Sequence, residues 1–187
     1  MRIRGKQQIQ TVSGLETRPT ASRVREAVFN IWQFEIAGCR WLDLCAGTGA
    51  MGAEALCRGA AVVIGIDQAS RACGVIERNW RKLAQPDQSV RVLRMDVVRG
   101  LEKMAGEQFD RIYFDPPYAS DLYEPVIEAI AVHHFLKPRG MLAVEHDKDR
   151  VLPQTAGDLT IDRARHYGKT TVTFYSVLES DLSNCTH

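Results

Sequence analysis

Asp115-Pro116-Pro117-Tyr118 sets an acid, two residues without a backbone N–H and an aromatic ring directly after the apolar run Phe109–Phe114. A strand would deliver the acid into a loop whose φ angles proline fixes, which makes a stiff set of acceptors. An aromatic ring beside it can stack on an unstacked base. This combination suits reaction at an exocyclic base amine. Such a nitrogen is a poor nucleophile because its lone pair is delocalised into the ring. As an electrophile arrives, the nitrogen must pyramidalise and gain positive charge. The Asp115 carboxylate and the Pro116 carbonyl, accepting its two N–H bonds, would meet that charge as it develops. Asp115, Pro116 and Tyr118 are therefore the candidate catalytic group, and Pro117 and Tyr118 the candidate base contacts. The competing reading is a plain Asp-Pro turn with Tyr118 packed on the next helix.

A second constellation lies upstream in Asp43-Leu44-Cys45-Ala46-Gly47-Thr48-Gly49. Glycines let backbone approach a ligand closely, and a helix N-terminus beyond them offers unpaired N–H groups. Gly47, Gly49 and Gly52 also fit the Gly-x-Gly-x-x-Gly pattern, with Asp67 placed to hold two ribose hydroxyls, so a nicotinamide or flavin dinucleotide is a legitimate reading. Three features favour S-adenosylmethionine. Asp43 would repel a pyrophosphate and attract a sulfonium. Asp96, after a third strand, can accept from an adenine amine. The Asp115 loop supplies a base-binding edge that a dehydrogenase does not need. Against this, Asp67 and Asp96 could simply cap the helices that follow them.

The 187 residues suit one domain of ordinary size. Apolar content of 45% and charged content of 25% are those of a globular protein. The net charge of +1 does not advertise a nucleic-acid binder, but a local patch can hide in it. Arg2, Arg4, Lys6, Arg18, Arg23 and Arg25 against Glu16 and Glu26 give the first thirty residues such a bias. Arg163, Arg165 and Lys169 are a second candidate patch for phosphates. Nothing reads as a membrane span or signal peptide, so a cytoplasmic protein is expected. Five cysteines without paired spacing read as reduced thiols. No His, Cys and acid cluster has metal spacing.

These groups need a scaffold to hold them. Residues 1–19 read as an N-terminal arm or short hairpin, 20–179 as the domain and 180–187 as a flexible tail. Thr20 or Ser22 is expected to cap a first helix. Strands are expected at Arg40–Leu44, Ala61–Asp67, Val90–Met95, Phe109–Phe114 and Gly140–Glu145. Between them lie helical patterns at Met51–Arg58, Ser70–Leu83, Val98–Met104 and Leu122–Val132. Dense Val/Ile/Leu runs alternating with helices imply a mostly parallel sheet covered on both faces. Leu159–Ala164 and Thr171–Leu178 read as an antiparallel hairpin. The expected class is α/β, a Rossmann-like methyltransferase fold with seven strands.

The chain resembles the bacterial 16S ribosomal RNA guanine-N2 methyltransferases over nearly its whole length. The resemblance is carried by Arg18-Pro19-Thr20, the segment Arg23–Asn30, Leu42–Gly52, Glu54–Ala60, Asp115–Tyr118 and Tyr167-Gly168-Lys169-Thr170. The Asp-Pro-Pro-aromatic motif is shared with many amino-directed methyltransferases, DNA adenine enzymes among them; the Arg-Pro-Thr segment is more specific. The resemblance implies S-adenosylmethionine as cofactor, surrounded by Asp43, Cys45, Ala46, Gly47, Thr48, Gly49, Asp67, Gln68, Asp96, Val97 and Asp115. It implies a guanine held by residues 115–118, with Arg18, Thr20, Arg23 and Tyr167 on the RNA side. It further implies action on 16S ribosomal RNA in small-subunit particles, among ribosomal proteins; a monomer is the default expectation for a single-target enzyme of this shape. The sequence departs from the family at Gln7, Gln8 and Gln10, where a basic arm is usual, at Cys45, often Phe, and at Asp67, often Glu. The alternatives are methylation of adenine N6 or cytosine N4 in DNA or another RNA, and a non-catalytic ribosome assembly factor.

Overall fold

Residues that alternate in side-chain direction along each strand build two cores here, one on each face of a single sheet. The computed structural model describes residues 2–3, 7–10 and 19–178. Arg2–Ile3 (β1) pairs antiparallel with Gln7–Gln8 (β2). Helix α1 spans Pro19–Ile31. Then follow β3 (Arg40–Leu44), α2 (Ala50–Cys57), β4 (Val62–Asp67), α3 (Ser70–Leu83), β5 (Ser89–Arg94), α4 (Val97–Lys103), β6 (Phe109–Phe114) and α5 (Tyr123–Val132). The chain closes with β7 (Leu136–Asp147), β8 (Thr155–Ala156), β9 (Leu159–Tyr167) and β10 (Thr170–Val177).

The large sheet has the order β5-β4-β3-β6-β7-β10-β9-β8. Strands β3 to β7 run parallel, and β10 and β9 join antiparallel to β7. Seven substantial strands are thus present as expected, and the two-residue β8 adds a short edge. Trp41 on β3 faces Val28, Phe29, Trp32, Ile76 and Trp80 beneath α1, α2 and α3. Its neighbours Leu42 and Leu44 face Leu101, Val126, Ile127 and Ile130 of α4 and α5. Phe29 stacks on Trp41 with ring centroids 5.1 Å apart, and Trp32 meets Trp41 edge-on at 5.6 Å. Each such fully buried large side chain stabilises the fold by about 1.5–3 kcal/mol.

Two local expectations are corrected. Thr20 and Ser22 lie inside α1 and do not cap it, because the helix already begins at Pro19. Proline suits that first position, where its missing N–H has no helical partner to lose. Strand β7 starts at Leu136, four residues before the expected Gly140. A register irregularity against β6 absorbs the extra length.

The strand order reverses direction between β3 and β6: β4 and β5 build outward from one side, β6 and β7 from the other. A crevice opens at such a switch point, beyond the carboxyl ends of the strands. The glycine loop follows β3 and the Asp-Pro-Pro-Tyr loop follows β6, so the topology brings both motifs to this crevice.

Candidate active site at the strand switch point

Asp43 lies on the last turn of β3 before the loop and is 2% exposed. Its carboxylate accepts the Gly52 N–H at 2.9 Å, which ties the start of α2 back onto the strand. Burial pushes its carboxyl up to about 8, against the pull of the Gly52 N–H and with a further push from Asp67. Asp67, at the end of β4, accepts from the Gly47 N–H and the Ala69 N–H, both at 2.8 Å. It therefore shapes the glycine loop from the neighbouring strand. Asp96 caps α4, accepting from Val98 and Arg99 N–H, as its capping alternative anticipates. Val97 behind it is buried, and Gln68 beside Asp67 is exposed.

The glycines divide by what they face. A Cβ on Gly52 would come within 2.2 Å of the Trp80 ring, one on Gly65 within 2.6 Å, and one on Gly49 within 2.9 Å of its indole nitrogen. Trp80 fills the slot made by all three and donates its indole N–H to the Gly49 carbonyl at 2.8 Å. Gly47 differs: its φ is +54°, and a Cβ there would meet only the Cys45 carbonyl, at 3.9 Å. It is the loop glycine whose side is open towards a ligand. Ala46 and Thr48 flank it, half-buried. Cys45 occupies the left-handed region at φ 59°. Burial together with the charges of Asp67, Asp115, Asp43 and Asp96 pushes its thiol up to about 12, so it is a neutral wall of the crevice.

Across the switch point, the Asp115 N–H donates to the Leu44 carbonyl at 3.3 Å and joins the two loops. Asp115 is itself accessible to solvent. The protein packed around its carboxyl, with the charges of Glu145 and Asp43, nevertheless raises it well above the usual carboxylate range. The Pro117 carbonyl is taken by the Ser120 N–H at 2.8 Å, whereas the Pro116 carbonyl has no partner among the described residues. The Tyr118 hydroxyl reaches Glu145 at 3.1 Å and Thr170 at 2.8 Å, and its carbonyl accepts from Arg150 at 2.9 Å. The ring is half-buried, and its hydroxyl is anchored.

Glu145 and Trp80 were not singled out by sequence reasoning. A lone Glu inside an apolar strand run carries no motif. Trp80 sits at a buried helical position that reads as ordinary core. Tyr167 is half-buried and packs against the core that holds Trp32 and Phe174. It pairs with Thr170, one strand away from Tyr118. Arg23 is exposed on α1. Arg18, the side chain of Thr20, and the basic Arg4 and Lys6 lie outside the described residues. Among the described residues no group of three metal-ligating side chains forms, the four cysteines make no disulfide, and no helix is long and apolar enough to cross a membrane.

The acids around the crevice are Asp43, Asp67, Asp96, Asp115 and Glu145. Neither Asp43, Asp115 nor Glu145 pairs with a Lys or Arg among the described residues. Such a set of acceptors fits a cationic ligand carrying hydroxyls and an amine, with Gly47 open beside it. The sheet order, the loop after β3 and the acceptor edge after β6 define a class I S-adenosylmethionine-dependent methyltransferase.

The family described as Conserved hypothetical protein 95 matches residues 1–176, and the chain belongs to it. YlbH of Bacillus subtilis is 35% identical over 169 residues, 89% of this chain and 91% of that one. Ribosomal RNA small subunit methyltransferase D of Haemophilus influenzae is 30% identical over 136 residues, 72% of this chain and 70% of that one. The solved structure of the Escherichia coli protein yhhF superposes with a TM-score of 0.81 at 25% identity, covering 95% of this chain and 97% of that one.

Proposed function

We propose that the protein transfers a methyl group from S-adenosylmethionine to the exocyclic N2 amine of a guanine in 16S ribosomal RNA. The observation that carries this reading is the acceptor edge itself. The Asp115 carboxyl and the adjacent Pro116 carbonyl, which has no partner among the described residues, follow one hydrogen bond from the end of the cofactor strand. The relatives named Ribosomal RNA small subunit methyltransferase D support the substrate class. In this reading the substrate is RNA organised in a small-subunit particle, met in the cytoplasm by a monomer.

S-adenosylmethionine, when bound, supplies an electrophilic sulfonium methyl. The chain's own residues do the rest. Gly47 leaves room along the loop, Asp67 accepts from ribose hydroxyls with lone pairs its two N–H bonds leave over, and Asp96 faces the adenine amine. Tyr118 stacks on the guanine, held in angle by its hydroxyl. Asp115 and the Pro116 carbonyl accept the two N–H bonds of the amine and favour its pyramidal, positively charged form. A positive charge beside Asp115 counteracts the push of Glu145 and Asp43 and favours its ionised, acceptor state. The amine proton passes to Asp115 or to water. Arg23, with Arg18 and Thr20, contacts phosphates that position the RNA without reading its sequence.

The test uses the methyl-tritiated cofactor with naked 16S RNA, with 30S particles and with DNA, followed by nucleoside mapping. N2-methylguanosine from the small-subunit RNA is the expected product. Label confined to adenine or to DNA, or absent from every RNA sample, overturns the reading.

A further inference from the structure

Parallel pairing sets Phe114 of β6 opposite Val144 of β7, so the next residues, Asp115 and Glu145, follow side by side. Glu145 is 7% exposed. One of its carboxylate oxygens accepts the Tyr113 hydroxyl, and the other accepts the Tyr118 hydroxyl at 3.1 Å. Thr170 of β10 lies 2.8 Å from that same Tyr118 hydroxyl. On α5, Tyr123 donates its hydroxyl to the Glu145 carbonyl at 3.3 Å, and the Arg150 guanidinium lies 4.3 Å over the Tyr123 ring. Tyr113 of β6 and Tyr118 of the Asp-Pro-Pro-Tyr loop thus converge on one carboxylate of β7, while β10 braces Tyr118 and α5 holds the Glu145 backbone.

The contacts favour the ionised form of Glu145. A carboxylate accepts at both oxygens, whereas a protonated acid must donate at one of them. Two phenol O–H groups converging on Glu145 are satisfied by its ionised form, with Thr170 donating to Tyr118. The groups facing this charge are Tyr113, Tyr118 and Asp115 from β6 and its loop and Tyr123 from α5, with Thr170 of β10 behind Tyr118. Arg150 is engaged with the Tyr118 and Ser120 carbonyls.

We propose that Glu145 is a positioning residue for methyl transfer, fixing the Tyr118 ring through its hydroxyl and setting the proton occupancy of the neighbouring Asp115. This rests on the reading of residues 115–118 as the base-binding edge. The protein packed around them raises both carboxyls, but Tyr113 and Tyr118 pull Glu145 back, and no such donor serves Asp115 among the described residues. The shared proton therefore rests on Asp115 in the free protein, which becomes an acceptor when positive charge arrives.

The test reads Asp115 directly. In protein labelled with 13C at aspartate carboxyls, with Asp115→Asn assigning the signal, the wild-type midpoint lies above the ordinary value of about 3.9. In Glu145→Gln it falls by about one unit or more, because a facing like charge is gone. An unchanged midpoint overturns the proton claim. Should Glu145→Gln fail to fold, Tyr113→Phe withdraws one donor, moves the proton towards Glu145 and lowers the Asp115 midpoint in the same direction; no movement again overturns the claim. For the tether, Tyr118→Phe keeps the stacking ring and loses only its anchor. Its kcat/KM on RNA falls about tenfold, the size of one lost hydrogen bond, with cofactor Kd unchanged by calorimetry; wild-type turnover overturns the tether. The titration needs no RNA. A wild-type protein that labels no RNA would sink the proposed function and leave the Asp115 titration to decide the proton claim separately.

Discussion

Strand β6 carries one aspartate near its start, Asp110, and delivers another just past its end, Asp115, and the two live in opposite surroundings. Asp110 accepts from the Arg40 N–H and the Lys137 ammonium, both at 2.8 Å. Burial pushes its carboxyl up, but those two donors and the Lys137 and Arg111 charges win, and it lies below the ordinary range. Around it the same edge of the sheet is closed by pairs. Glu107 binds Arg40 at 2.8 Å and Arg91 at 2.6 Å, and Arg111 pairs with Glu35. Asp115 faces Glu145 and Asp43, with no cation among the described residues to balance them. One end of the sheet has its charge neutralised by the fold; the other keeps acids waiting for a cation. A folded chain tolerates the second arrangement where a ligand completes it, so the contrast separates the stability end from the chemical end.

The contrast is broken first at Asp115. Asp115→Ala is expected to lower methyl transfer by about 10²-fold or more, the loss typical of one transition-state acceptor, while calorimetry still detects cofactor binding. Equal turnover would remove Asp115 from the chemistry.

Asp43 sharpens the contrast through pH. Its folded carboxyl, at about 8, holds a proton that the unfolded chain releases near 3.8. The folded state therefore binds more protons between those limits. Asp43's contribution is full below the lower limit and is lost as pH rises through the upper, by up to about 1.4 kcal/mol per pH unit. Asp43→Asn keeps an acceptor for the Gly52 N–H and cannot ionise. Its denaturation midpoint in the ligand-free protein should fall less steeply than wild type between pH 5 and pH 8. Parallel curves would show that the buried charge is relieved in some other way.

At the paired end the signs reverse. Asp110→Asn removes a charge that two donors hold. Those groups are 30% and 35% exposed for Asp110 and Lys137, so after solvent screening the cost is about 1 kcal/mol. Chemical denaturation should show that loss while methyl transfer per folded molecule stays at the wild-type level. The smallest effect is expected from Glu107→Gln, about 0.5 kcal/mol, because its arginine partners are partly exposed. Added salt should shrink the difference from wild type. A large activity loss in either variant would mean that the two ends are coupled.

Much of this layout was legible in the chain. Ser70–Leu83 and Phe109–Phe114 are found where periodicity puts them, because a long amphipathic stretch and a dense apolar run each bury in one way. The acceptor loop and the glycine loop were readable because proline and glycine restrict or release local backbone on their own. The start of β7 was not, since a register irregularity against β6 sets it. Gly52 looked like part of a ligand motif, yet its missing Cβ makes room for Trp80, from a helix twenty-eight residues on. That packing leaves Gly47 as the glycine open to a ligand.

By itself the sequence determined which chemistry is available: an acid, a carbonyl between two prolines and an aromatic ring at one strand end, and a glycine turn with acids at three others. These are local properties, set by residue type and by the few neighbours on either side. Only the tertiary structure decided which acid serves which task. Asp43 ties the start of α2 to β3, Asp67 shapes the glycine loop from the neighbouring strand, and Glu145 gains its place because parallel register carries it beside Asp115. Burial and like charge act through space, across strands distant in sequence, and no local pattern records them.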